Sequence, residues 1–95
     1  MVQPRLFKWG DGKAEANLAK HGVPFDYATA VFLDPAGTDF DASHHNDREV
    51  RHKFVGQIDG RIFTVVYTQR GATIRLISAR RANAQEERRY GQVCS

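Results

Sequence analysis

Ninety-five residues, 41% of them hydrophobic and 26% charged, suffice for one domain with one modest core, and no apolar run approaches the ~20 residues of a membrane-spanning helix. The lone cysteine, Cys94, has no internal partner, which excludes a disulfide scaffold and points to a reducing, cytoplasmic setting. Met1-Val2-Gln3-Pro4-Arg5 lacks the apolar stretch of a signal peptide.

The net charge of +3 is unevenly spread. Residues 1–60 hold seven Lys/Arg against nine Asp/Glu; residues 61–95 hold seven arginines, no lysine and two glutamates. Such asymmetry suits a polyanion at one end of the molecule, and arginine suits planar, bidentate phosphate contacts. A merely solvated basic face would have the same composition.

In chain order, Leu6-Phe7-Lys8-Trp9 reads as a short edge strand. Asp11 is an N-cap candidate, and residues 13–21 form a first helix with Ala14, Leu18 and His21 on one face. Gly22 stops it. Pro24 opens a second helix over residues 25–33, ended by Asp34-Pro35. Residues 35–48 are polar and turn-rich, with room for a short strand at 38–41. Period-two patterning begins at Glu49. Asp59-Gly60 marks a hairpin, and residues 61–68 are apolar enough for a central strand covered on both faces. Gln69-Arg70-Gly71-Ala72 turns into a last strand over residues 73–79. Asn83-Ala84-Gln85-Glu86 resembles a capping box, which starts a final helix reaching Tyr90 or slightly beyond. The expected fold is α+β: a small antiparallel sheet, made of a three-strand meander plus one or two N-terminal strands, with an N-terminal helical hairpin and a C-terminal helix packed on it. One domain over residues 1–95 is expected.

These residues also carry a resemblance. Phe7-Lys8-Trp9, Asp11, Lys13-Ala14 and Asn17-Leu18-Ala19-Lys20-His21-Gly22-Val23 resemble the opening of the BrnT toxins. The likeness continues through Phe25, Ala28, Val31-Phe32, Asp34-Pro35, Glu49-Val50-Arg51 and Gly60-Arg61. It ends with Val65-Val66-Tyr67-Thr68, Arg70-Gly71, Arg75-Leu76-Ile77-Ser78-Ala79-Arg80-Arg81-Ala82, Glu87-Arg88 and Tyr90. Pro24 departs from the pattern, standing where the family often has a helix-capping Ser or Thr. The resemblance implies a RelE-like fold and a cytoplasmic endoribonuclease toxin of a type II toxin–antitoxin system. It also implies a BrnA-type antitoxin with a ribbon-helix-helix DNA-binding part, operator DNA being bound only through the complex.

Metal-independent RNA cleavage needs a base for the 2′-hydroxyl proton, donors for the charge on the pentacoordinate phosphate, and help for the leaving 5′-oxygen. Arg51, Arg70, Arg75, Arg80 and Arg81 are the donor candidates. Arg80 and Arg81 are consecutive, so in an extended stretch only one of them faces a given cleft. Alternatively the arginines pair with Glu49, Glu86 or Glu87, or with an acidic antitoxin. Glu49 and His21 are the base candidates. Glu49 shares a strand face with Arg51, where arginines would make it a weak base and an orienting group; His21 serves equally as a helix C-terminal cap. Lys20, Arg88 and Tyr90 are candidates for RNA contacts, Tyr90 also for ordinary packing. His44, His45 and His52 with Asp41 and Asp47 fit no zinc spacing, so neither metal nor cofactor is expected. The competing reading is a non-catalytic RNA- or antitoxin-binding module, a degenerate toxin. The helix pair and its neighbouring aromatics, Phe7 and Trp9, suit the core or an antitoxin docking face.

Overall fold

The computed structural model describes residues 6–43 and 49–93, with side chains as far as Tyr90. The elements are β1 (Leu6–Lys8), α1 (Asp11–His21), α2 (Phe25–Ala28) running into a 3-10 turn (Thr29–Leu33), β2 (Thr38–Asp41), β3 (Arg51–Ile58), β4 (Arg61–Arg70), β5 (Thr73–Arg81) and α3 (Ala84–Val93). The five strands form one sheet in the order β1-β5-β4-β3-β2. Neighbours are antiparallel except β1, which runs parallel to β5. The sheet is therefore mixed, not antiparallel as expected. Side-chain alternation marks a strand but carries no direction, and the long path from β1 to β5 allows either.

Local chemistry explains the boundaries. The Asp59-Gly60 turn takes positive φ at both residues (52° and 80°), the geometry that matches strand twist in a two-residue hairpin. Asn83 and Glu86 close a reciprocal capping box: Glu86 N–H donates to Asn83 Oδ1 (2.8 Å) and Asn83 N–H to Glu86 Oε1 (2.9 Å). The N-cap of α1 is Gly10 rather than Asp11, which is the first helical residue and there suits the helix dipole. The second helix is α-helical for only four residues and then tightens to 3-10. That turn lies so close to β3 that a Cβ on Gly56 would sit 2.8 Å from the Val31 carbonyl oxygen.

One face of the sheet is covered by the helical hairpin. Val23, Phe25, Ala28 and Val31 pack there on Ile58, Phe63, Val65, Tyr67, Ile74, Leu76 and Ala79. Phe7 and Trp9 join this core, at 5.5 Å from Phe32 and 5.8 Å from Phe25 between ring centroids. The buried residue of α1 is Asn17, while Leu18 is 49% exposed, so the inward stripe is Ala14, Asn17 and His21 rather than one containing Leu18. Asn17 does the work of a missing strand. Beyond the end of β1, its amide accepts from Ala79 N–H (3.0 Å) and donates to Ala79 O (2.9 Å) and Val23 O (3.0 Å). Both backbone groups of Ala79 on the β5 edge are thereby satisfied without a further strand.

A bulge fixes the other face. Tyr67 pairs with Leu76 but Val66 pairs with Ser78, which leaves Ile77 as the extra residue in β5. The bulge reverses the alternation, so Arg75 and Arg80, five residues apart, come to the same side. Both lie on the outer face, opposite the helical hairpin.

Candidate nucleic-acid interface

Register places the outer-face residues in rows. One row crosses four strands as Lys8, Arg75, Thr68 and Arg51. Three strand spacings put its ends about 14 Å apart. The next row toward the sheet's end is Leu6, Thr73 and Arg70, with Glu49 continuing it just before β3. Further along, Lys53, Val66 and Ser78 form one row and Val55, Thr64 and Arg80 another.

The two ends of this face differ in cover. α3 lies over the Thr64 end and inserts Glu86, 4% exposed. Arg80 grips its carboxylate with both terminal nitrogens (2.8 and 2.9 Å), Thr64 Oγ1 donates at 2.9 Å, and Lys53 Nζ stands 3.0 Å away. Burial pushes the Glu86 carboxyl up. The bonds from Arg80, the Asn83 N–H, Lys53 and Thr64 outweigh burial and bring it down to about 2. Farther along α3, Tyr90 donates to Asp34 Oδ2 (2.7 Å), and Arg89 stacks 4.1 Å from the Phe40 ring centre. Burial would raise Asp34, but bonds from Tyr90 and the Gln57 and Ala36 N–H groups hold it low.

The opposite end lies outside the cover of α3. A cavity of about 210 Å³ opens there, lined by Lys8, Arg70, Thr73 and Arg75. Arg70 binds Glu49 through two nitrogens, Nε at 3.1 Å and Nη2 to the other oxygen. The Arg70 bond, joined by the fields of Arg70 and Arg75, holds the Glu49 carboxyl below the usual range. Arg51 is fixed by its backbone: its N–H donates to Ser43 Oγ (2.8 Å) and its carbonyl accepts from Ala42 N–H (2.8 Å).

The structure thus brings Arg51, Arg70, Arg75 and Glu49 together and leaves other candidates apart. Arg80 shares the face but is engaged by Glu86. Arg81 points to the other side, its guanidinium 5.6 Å from the Phe63 ring centre. His21 ends α1 within the helical layer, and Lys20 and Arg88 are exposed on α1 and α3. Tyr90 is tied to Asp34. His52 pairs with Asp39 through Nδ1 (3.0 Å) and stacks on Tyr67, while His44, His45 and Asp47 lie outside the described residues. Among the described residues no three His, Cys, Asp or Glu side chains gather as metal ligands do, and no helix is long and apolar enough to cross a membrane. Sequence reasoning missed Lys8 and Thr73, although the alternation of Lys8 with Phe7 and Trp9 already put Lys8 on the polar side of its strand. It also missed the weight carried by Lys53 and Asn17.

Fold and face together define a small α+β protein with a cationic strip across a sheet, an arrangement suited to a phosphate backbone. The family described as "Ribonuclease toxin, BrnT, of type II toxin-antitoxin system" matches residues 9–86, and the chain belongs to that family. Membership implies an antitoxin partner and an RNA substrate. No curated protein matches the chain. Arg51, Arg70, Arg75, Glu49 and Glu86 fall within the family match; Lys8, Arg88 and Tyr90 fall outside it.

Proposed function

We propose that this chain is a metal-independent endoribonuclease toxin acting through the Lys8–Arg75–Arg51 end of the outer face. In this reading the 2′-oxygen of RNA attacks the adjacent phosphorus and the P–O5′ bond breaks, leaving a 2′,3′-cyclic phosphate and a 5′-hydroxyl. Arg51 and Arg75, with Arg70, hold the phosphate and stabilise the charge that grows on its oxygens. The observation that carries the reading is the row itself: three cations in register across four strands, outside the cover of α3. Glu49 stays ionised and is a weak base, so acceleration rests chiefly on charge stabilisation. His21 lies in the last turn of α1, away from this row; Arg80 and Tyr90 hold α3, and Arg81, Lys20 and Arg88 are outlying charges.

The wider reading is a single RelE-like domain over residues 1–95 that acts in the cytoplasm and arrests growth. A BrnA-type antitoxin with a ribbon-helix-helix part silences it and brings the pair to operator DNA. For docking, the hairpin offers a groove of about 310 Å³ whose apolar lining of Trp9, Ala14, Leu18, Pro24 and Phe25 is flanked by the carboxylates Glu15 and Asp26. The pairing of Arg70 with Glu49 favours the second reading, a module that binds RNA without cutting it. Incubation of antitoxin-free protein with RNA in excess EDTA separates the two. Cyclic-phosphate ends are expected from RNA and no cleavage from DNA, which lacks the 2′-hydroxyl; binding without cleavage defeats the catalytic reading.

A further inference from the structure

We propose that the cavity between β1, β5 and β4 is a phosphate subsite for RNA, with Lys8 its outer anchor and Glu49 its internal competing anion. This rests on the RNA-directed reading above and extends it to a residue outside the family match. Lys8 and Arg75 are direct register partners on adjacent parallel strands, and Arg70 pairs with Thr73 one row away. All four line one opening of about 210 Å³, several times the roughly 30 Å³ that a water occupies in the liquid. A lysine, two guanidiniums and a hydroxyl offer donors from several directions, the pattern that suits a phosphate better than a planar carboxylate.

Three cations around one cavity repel one another, and an anion relieves that repulsion. Glu49 supplies part of this relief. It stands at the end of the Thr73–Arg70 row, is bound by Arg70, and feels Arg75. It lies just before β3 rather than within it, and its side chain is 42% exposed. An exposed pair of this kind is worth little, so an entering phosphate can take Arg70 from it. The carboxylate keeps the cationic cavity from binding anions indiscriminately and yields to a strand that also engages Lys8 and Arg75.

The test uses the full chain and a fully 2′-O-methylated RNA oligonucleotide, which cannot be cut by 2′-hydroxyl attack. Its dissociation constant is measured by fluorescence anisotropy at several salt concentrations. Lys8→Ala is expected to weaken binding about five- to tenfold and to make the log–log salt slope shallower by about 0.7, one phosphate contact on a single strand. Lys8→Arg restores both. Glu49→Gln is expected to tighten binding several-fold. No binding by the wild-type chain, an unchanged constant and slope for Lys8→Ala, or unchanged or weaker binding by Glu49→Gln overturns the proposal. Cleavage of unmodified RNA is scored separately, so a protein that binds as described but does not cut defeats the catalytic reading and leaves the subsite standing.

Discussion

Two ends of one sheet face carry similar side chains in different surroundings. At the α3 end, Lys53 and Arg80 surround a carboxylate sealed from water; at the β1 end, Lys8, Arg51, Arg70 and Arg75 stand with the half-exposed Glu49. Charge type does not separate them, since each end holds arginine, lysine and glutamate. Burial does. A carboxylate removed from water must keep all its donors, so Arg80 and Lys53 are committed to the fold. A carboxylate at the surface competes with solvent and with incoming anions, so its arginine stays exchangeable.

The largest effect that sharpens this contrast is expected at Glu86. Glu86→Ala strands Arg80 and Lys53 against each other and opens the capping box. It should cost about 3–5 kcal/mol, a fall in Tm on the order of 20 °C by calorimetry. The wild-type protein should show the same lock in its pH dependence. The folded Glu86 carboxyl titrates near 2, below its ordinary value of 4.5, so its stabilisation is complete above about pH 4.5 and is lost as pH falls through about 2. The loss is on the order of 3 kcal/mol, and urea titrations of Glu86→Gln should lack this component. At the other end, Arg51→Ala and Arg75→Ala should change stability by less than about 0.5 kcal/mol. Each should still weaken binding of single-stranded RNA about tenfold and reduce its salt slope. The smallest effect is expected at Glu49→Gln, whose unfolding free energy should lie within about 0.5 kcal/mol of wild type because the lost pair is exposed. A large destabilisation there would erase the distinction between the two ends.

Much of the fold was legible because its signals are local. The Asp59-Gly60 hairpin and the Asn83–Glu86 capping box each depend on residues within a few positions, and both stand as read. The short strand at 38–41 was legible too. The direction of β1 was not, because it depends on which distant strand accepts it. Asn17 was hidden for a related reason: a polar residue on a helix reads as solvent-facing until the bare edge of β5 lies beside it. The site was half legible. Arginine enrichment drew attention to residues 61–95, and strand register sets Arg51, Arg70 and Arg75 on one patch of the outer face. The bulge at Ile77 was invisible, and it alone brings Arg80 to the same face as Arg75, where Glu86 then takes it. Lys8 was overlooked because a lone lysine in a short strand carries little signal until β1 is laid against β5.

The most direct measurement is a paired one: single-turnover RNA cleavage in EDTA and thermal unfolding, both for Arg75→Ala and Arg80→Ala. Arg75→Ala should lose at least about 100-fold in cleavage rate with an unchanged Tm, while Arg80→Ala should unfold at a markedly lower temperature. Cleavage by Arg75→Ala at the wild-type rate, or an Arg80→Ala protein as stable as wild type, would contradict the assignment of catalysis to the exposed end and of structure to the buried one.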